Sequence, residues 1–147
     1  MSNEKTINAL NGLLADATVL YQKLRAMHWY VAGREFFVLH EKFEELYDAW
    51  AEHIDAIAER ILTVGGEPLA TLAAMLEHSK IREFGGSASA DELIATLTSD
   101  LEHLLADARG AIALAEQAGD RGTANLLDGI CDEQEKTLWM LRAWSKR

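Results

Sequence analysis

Cysteine, proline and long apolar runs are scarce in this sequence. Cys131 is the only cysteine among 147 residues, so no disulfide forms within the chain, and a reducing compartment such as the cytoplasm is expected. The single proline leaves room for long uninterrupted helices. Charged residues break every apolar run well before the ~20 residues that a membrane-spanning helix requires. The first residues, Met1–Lys5, lack the basic and then apolar order of a secretory signal. We therefore expect a cytoplasmic protein that does not associate with membranes.

Basic residues are also few. The chain has 14 lysines and arginines against 24 aspartates and glutamates, which gives a net charge of −10. A charge of this sign repels nucleic acid and anionic membranes, and it attracts cations. The composition therefore favours a protein that handles metal ions over one whose main ligand is a polyanion.

The apolar residues follow the alternating three-and-four spacing of amphipathic helices. Four long stripes are visible in the sequence, and they run from Ile7 to Val31, from Phe36 to Ile61, from Ile94 to Ala115 and from Leu127 to Leu141. Four helices with one apolar face each bury those faces best against one another. The sequence therefore predicts an all-α fold, a four-helix bundle that forms a single domain over residues 1–147.

Local signals set the boundaries of these helices. The pair Gly65-Gly66 followed by Pro68 is a strong stop for the second helix. The short apolar segment Leu69–Leu76 predicts a connector helix, because the gap before the third long helix greatly exceeds a tight turn. Ser89 and Glu92 fit a capping box that starts the third long helix. The fourth long helix is predicted to start near Asp120–Thr123, after Gly119.

Side chains that bind metal ions cluster around the first turn between helices. They are His28 near the end of the first helix and, along the second helix, His40, Glu44, Asp55 and Glu59. The chain has no Glu-x-x-His pair, the motif with which ferritin-like di-iron bundles build a site inside the bundle. A metal site in this chain must therefore be built differently.

The length of the second helix restricts how these ligands combine. Asp55 lies 15 residues beyond His40, or about 22 Å along a helix at ~1.5 Å per residue. Metal–ligand bonds are only ~2 Å long, so one subunit cannot place both histidines and both carboxylates on one ion. A two-fold dimer with antiparallel second helices would bring the histidines of one chain to Asp55 and Glu59 of the other, which share a helix face. Imidazole and carboxylate groups suit iron, but Zn(II) would bind the same set at least as tightly, so the residue types do not name the metal.

The chain resembles the Dps family, the DNA-binding proteins from starved cells, which are mini-ferritins of the ferritin-like superfamily. The stretch from His28 to Phe43, HWYVAGREFFVLHEKF, is similar to the family signature, and the spacing continues through DAIAER at residues 55–60. The segments Leu76–His78 and Glu135–Leu141 also resemble family sequences. The His-x11-His-x14-Asp-x3-Glu spacing is the most specific part of the resemblance.

This resemblance implies a ferroxidase. His28 and His40 would bind iron from one subunit, Asp55 and Glu59 would complete the site from its neighbour, and Trp29 would lie beside the metal. Family members assemble as hollow dodecamers, oxidise Fe(II) faster with hydrogen peroxide than with oxygen, and store ferric oxide inside. The implied role is iron storage combined with protection against oxidative stress.

The chain departs from the family pattern in one respect, and we therefore expect weak or absent DNA binding. Family members that bind DNA tightly often use a lysine-rich tail, whereas here Lys5 is offset by Glu4, and only Lys146 and Arg147 stand at the other end. Two alternatives remain open, a nucleoid-associated protein that condenses DNA and a structural helical assembly with a degenerate metal site.

Several further residues have more than one interpretation. Glu44 is either an additional ligand, a base beside the site or a solvated glutamate, and Trp29 either shields the site or packs at an interface. Asp120 and Asp128 either line an acidic entry pore at a three-fold axis, by analogy with the family, or are ordinary acids at a helix start. Three histidines without a partner pattern are expected at the surface, and Cys131 is expected to be an inert core residue. These histidines are His53, His78 and His103.

Overall fold

The computed structural model describes residues 2–146, and these form five helices in the order predicted. The helices are α1 (Ser2–Tyr30), α2 (Phe36–Thr63), α3 (Leu72–His78), α4 (Ala90–Gln117) and α5 (Arg121–Ser145). The all-α prediction is confirmed, with four long helices and the short α3 in the connection between α2 and α4. Met1 and Arg147, two of the terminal residues considered above, lie outside the described part of the chain.

The four long helices pack around a common apolar core. α1 packs along α2 and against α4, α4 packs along α5, and α3 lies against α1. Each long helix contributes fully buried side chains, for example Leu24, Phe43, Leu97 and Leu127. Burying one such side chain contributes about 1.5–3 kcal/mol, so the apolar stripes account for the association of the helices. Within residues 2–146, no helix combines the length and the apolar character needed to cross a bilayer.

Glycines end α2 and α4 in the same way. Gly65 and Gly119 have φ angles of 91° and 73°, in the left-handed region where a residue with a Cβ is strained. The amide of the following residue then reaches back to a carbonyl of the last helical turn, from Gly66 to Ile61 at 2.8 Å and from Asp120 to Ala115 at 2.8 Å. This Schellman arrangement satisfies carbonyls that the helix leaves free, which explains the two predicted stops.

Side chains cap the starts of α4 and α5. Only half of the capping box predicted for α4 forms, because the amide of Ser89 donates to Ser87 Oγ and not to Glu92. Ser89 Oγ accepts a hydrogen bond from the amide of Glu92, and Asp120 accepts one from the amide of Thr123. The connector helix begins later than predicted, at Leu72 instead of Leu69, because the side chain of Thr71 accepts a hydrogen bond from the amide of Ala74 and sets the first turn there.

Candidate metal centre

The turn between α1 and α2 brings His28 and His40 into contact. His28 lies in the last turn of α1, and His40 lies in the second turn of α2, on the antiparallel neighbour. Their rings stack with centroids 3.7 Å apart and planes 11° from parallel. Each ring nitrogen Nδ1 reaches the main chain of the other histidine, at 2.6 Å from His40 O and 2.7 Å from His28 O.

These reciprocal contacts set the tautomer of both rings. A carbonyl oxygen only accepts hydrogen bonds, so each Nδ1 must carry the proton and donate it. In the neutral imidazole the lone pair is then on Nε2, the atom through which histidine binds a metal ion. A hydrogen bond from the second ring nitrogen also fixes the ring orientation. The two rings are therefore oriented as metal ligands by the main chain itself.

Aromatic residues and one acid surround the histidine pair. Phe36 stacks on His40 with centroids 4.8 Å apart, and Tyr47 presents its ring to His28 edge-on at 5.4 Å. Burial and the nearby charge of Glu44 raise the pKa of Tyr47, so its phenol stays protonated. Glu44 Oε1 lies 3.6 Å from His28 Nε2, which places this carboxylate beside the nitrogen that would bind the ion.

Asp55 and Glu59, the two predicted carboxylate ligands, lie farther along α2. The two carboxyl groups are exposed and one helical turn apart. A hydrogen bond with Asp55, and then the charge of Asp55, raise the pKa of Glu59. Two carboxylates so close disfavour each other's charge, and a cation that binds both would remove that repulsion. Asp55 and Glu59 lie 15 and 19 residues beyond His40, or about 22 and about 28 Å along α2, so they do not meet the histidines within one chain.

Trp29, predicted beside the metal, follows His28 directly but is exposed in the single chain. The guanidinium of Arg25, one turn earlier on α1, lies 5.1 Å from the centre of the Trp29 ring. A cation over an aromatic face is attracted to it, so Arg25 orients the indole. The side chain is placed at the surface near the histidine pair, where a second subunit would cover it.

The acids at the start of α5 differ in their contacts. Asp120 caps the helix, and Arg60 Nη2 donates to its Oδ1 at 2.8 Å. Burial disfavours the ionised form of Asp120, but hydrogen bonds from Thr123 and Arg60 outweigh it and lower the pKa. Both carboxylate oxygens of Asp120 accept hydrogen bonds within the chain. This supports the interpretation of Asp120 as an ordinary acid at a helix start. Asp128 is exposed and lines an open surface depression together with Glu116.

Two of the three histidines expected at the surface, His53 and His103, are half-buried and contact acids. His53 contacts Glu133, and His103 lies 3.2 Å from both Asp16 and Asp107. The prediction was wrong for these two because Glu133 and Asp16 are distant in sequence and meet the histidines only through helix packing. The His103–Asp107 spacing of one helical turn was the signal available in the sequence. His78 is exposed, as expected.

Cys131 is buried in the core, and burial raises the pKa of its thiol. A buried thiol with a raised pKa forms little thiolate, which is the reactive species. This agrees with the expectation that Cys131 is an inert core residue.

Comparisons with known proteins agree with this fold. Residues 7–147 match the family model of the ferritin-like domain. DNA protection during starvation protein 2 of Bacillus anthracis is 46% identical over 142 residues, which cover 97% of each chain. The crystal structure of a Dps protein from Bacillus brevis superposes with a TM-score of 0.97 at 43% identity, covering 99% of this chain and 97% of the other. A Dps protein from Vibrio cholerae O1, described as a member of a broad superfamily of ferritin-like diiron-carboxylate proteins, gives a TM-score of 0.96 at 40% identity over 99% of this chain and 91% of its own.

Proposed function

Because the chain belongs to the Dps family of ferritin-like proteins, we propose that it is an iron-storage mini-ferritin that oxidises Fe(II) at a site shared by two subunits. The observation that carries the proposal is the pair of histidines whose Nδ1 atoms bond the main chain, which leaves both Nε2 atoms for the ion. Iron is the substrate and the stored product. The whole chain, residues 1–147, acts as one domain.

The positions of the ligands along α2 support a site between two subunits. His40 lies four residues after the first residue of α2, and Glu59 lies four residues before the last residue of the same helix. A two-fold axis through the middle of α2 therefore brings His40 of one helix level with Glu59 of its antiparallel partner. Val38 and Leu62, near the two ends of α2, are exposed apolar residues that such a contact would cover. Each dimer then contains two equivalent sites.

The donor set fits the chemistry of iron. His28 and His40 supply two imidazole nitrogens, and Asp55 and Glu59 supply carboxylate oxygens, which stabilise the harder Fe(III) product. Glu44 adds a third carboxylate beside His28. Zn(II) competes for the same atoms, since it binds nitrogen and oxygen ligands at least as tightly as Fe(II).

The reaction transfers one electron from each Fe(II). Hydrogen peroxide accepts two electrons and two protons and becomes two molecules of water, so one peroxide oxidises two Fe(II). We expect peroxide to be used in preference to oxygen, as the resemblance to the Dps family implies. Consuming Fe(II) and peroxide together would then suppress hydroxyl radicals. The net charge of −10 draws Fe(II) toward the protein. Ferric oxide collects inside a hollow homododecamer built from these dimers, in the cytoplasm, and protects the cell against oxidative stress.

Complementation between two inactive variants tests the shared site. One chain carries His28→Ala and His40→Ala, and the other carries Asp55→Asn and Glu59→Gln. If each site takes histidines from one chain and carboxylates from the other, both pure assemblies are inactive. Random mixing makes half of the dimers mixed, and each mixed dimer has one intact site of two, so about a quarter of the activity returns.

Activity is measured as the initial rate of ferric formation after the two chains are unfolded, mixed and refolded together. A matched control refolds each variant alone. A site within one subunit would leave the mixture as inactive as its components, and that result would contradict the shared site.

A nucleoid role is the second candidate, and the name of the Bacillus anthracis relative favours it. The net charge of −10 opposes it, because the release of counterions from DNA requires cationic side chains. We expect weak or absent DNA retardation in a gel-shift assay of the iron-free protein at physiological salt. Tight complexes under those conditions would instead support DNA condensation.

A further inference from the structure

A second group of metal-binding side chains lies between α1 and α4, apart from the histidine pair. Asp16 extends from α1, and His103 and Asp107 extend from α4, one turn apart. His103 Nε2 lies 3.2 Å from Asp16 Oδ2 and 3.2 Å from Asp107 Oδ2. One ligand atom from each residue lies within 4.8 Å of the other two. We propose that Asp16, His103 and Asp107 bind one divalent transition-metal ion.

The spacing of the ligand atoms matches such an ion. Zinc and similar ions lie about 2.0–2.2 Å from histidine nitrogen and carboxylate oxygen, so neighbouring ligands of a tetrahedral site are about 3.4 Å apart. The two nitrogen–oxygen distances here are 3.2 Å each. The ion therefore enters with only small rotations of the side chains. Two carboxylates and a neutral imidazole also balance a charge of +2.

Asp16 is held in place as a ligand by the segment that follows α3. The residue is only 1% exposed. Its Oδ1 accepts hydrogen bonds from Ser79 Oγ at 2.8 Å and from the amide of Lys80 at 2.7 Å. These donors leave Oδ2 directed at His103, much as outer partners orient the carboxylate ligands of known metal sites. A buried carboxylate also requires a compensating charge, which a divalent ion supplies.

The proposed site is open to solvent on the side opposite the buried Asp16. The side chains of His103 and Asp107 are 34% and 37% exposed, so an ion reaches them from solvent, and water completes its coordination. Mixed imidazole and carboxylate ligands suit Zn(II), Fe(II), Mn(II) and Co(II), and Zn(II) binds tightest of these four in the Irving–Williams order. Since the ligands come from two helices, the bound ion cross-links α1 to α4 and raises the temperature of unfolding.

The test measures Co(II) binding to the assembled protein that carries His28→Ala and His40→Ala, which removes the histidines of the proposed iron site. Equilibrium dialysis counts the ions, and the visible absorption of Co(II) reports ligation by imidazole. We expect one Co(II) per chain, displaced by Zn(II). His103→Gln keeps a donor for the two carboxylates but lacks the imidazole lone pair, so it abolishes this binding. Asp107→Asn weakens it at least tenfold.

His78→Gln is the matched control, because it removes an exposed histidine outside the cluster and leaves Co(II) binding unchanged. The same His103→Gln substitution in the wild-type chain lowers the number of bound Co(II) ions by one while the initial rate of iron oxidation is retained. If the protein does not oxidise iron, Co(II) binding by Asp16, His103 and Asp107 is still expected. If these residues do not bind Co(II), iron oxidation at the proposed shared site is still expected.

Equal Co(II) binding by the background protein and its His103→Gln form would overturn the proposal, and the three residues would then be a hydrogen-bonded cluster only. Circular dichroism checks that each variant is folded. If His103→Gln does not fold, Co(II) binding by Asp107→Asn tests the proposal instead. Asp107 lies at the solvent edge of the cluster, so its replacement disturbs the fold less.

Discussion

Replacement of Lys23 by methionine isolates the energy of a buried ion pair in the bundle. Lys23 Nζ lies 2.7 Å from Asp100 Oδ2, and the two side chains are 5% and 14% exposed. Burial raises the pKa of Asp100, and the hydrogen bond and charge of Lys23 partly offset that effect. Methionine keeps the volume of the lysine stem and removes the charge, so Asp100 is left buried without its partner.

The cost of this change has an upper limit, because Asp100 can take up a proton instead of remaining charged. Loss of one partner of a buried pair costs about 3–5 kcal/mol. Protonating an aspartate with an unfolded pKa of about 3.9 costs about 1.4 kcal/mol per pH unit, which is about 4 kcal/mol at pH 7 and about 1.5 kcal/mol at pH 5. We therefore expect Lys23→Met to destabilise the protein by about 3–4 kcal/mol at pH 7 and by about 1.5 kcal/mol at pH 5.

The sign of the pH effect follows from linkage. In the variant the folded pKa of Asp100 lies further above its unfolded value, so the folded state binds the proton more tightly and gains stability relative to wild type as the pH falls. Guanidinium denaturation at both pH values, at one protein concentration and with metal chelated, gives the difference from wild type. Lys23→Met combined with Asp100→Leu is the control, which we expect to match or exceed wild type. A Lys23→Met cost below about 1 kcal/mol at pH 7, or one independent of pH, would refute the reasoning.

Two other substitutions and one labelling experiment test separate parts of the structure. Asp120→Ala removes the cap of α5 and the partner of Arg60, so we expect denaturation to show a loss of about 2 kcal/mol of stability at neutral pH. Because the folded pKa of Asp120 is lowered, the stability difference between variant and wild type disappears as the pH falls below about 4. A difference that persisted at that pH would contradict the role of the ionised Asp120 as the cap. Cys131 is expected to react with a thiol reagent slowly in the native protein and rapidly in denaturant, and fast native labelling would disprove its burial. Glu44→Gln should weaken Fe(II) binding about tenfold in a titration if Glu44 ligates beside His28, and unchanged affinity would leave Glu44 as a solvated neighbour.

Local features of the sequence were enough to predict the helices and the histidine pair. Gly65 and Gly119 mark two helix ends because each of these turns needs a positive φ angle, which glycine adopts without strain. The short connection after α1 forces the next helix to run antiparallel, and this brings His28 level with His40. Neither inference requires knowledge of how distant helices pack.

Contacts between distant segments were not predictable in the same way. Asp16 and His103 are 87 residues apart, and they meet only because α1 and α4 pack in one particular register. Arg60 reaches Asp120 across 60 residues for the same reason, and this contact adds a distant partner to the cap of α5. Periodicity identifies the face of a helix, but the register between two helices depends on the packing of the whole core.

The most direct test of the proposed function is stopped-flow absorbance on anaerobic protein loaded with Fe(II). The protein is mixed in parallel with hydrogen peroxide and with air-saturated buffer, and protein-free Fe(II) and the His28→Ala, His40→Ala assembly serve as controls. The account predicts fast ferric formation with peroxide, slow formation with air, and loss of the fast phase when both histidines are replaced. A rate no higher than that of protein-free iron, or a fast phase that survives the double substitution, would contradict it.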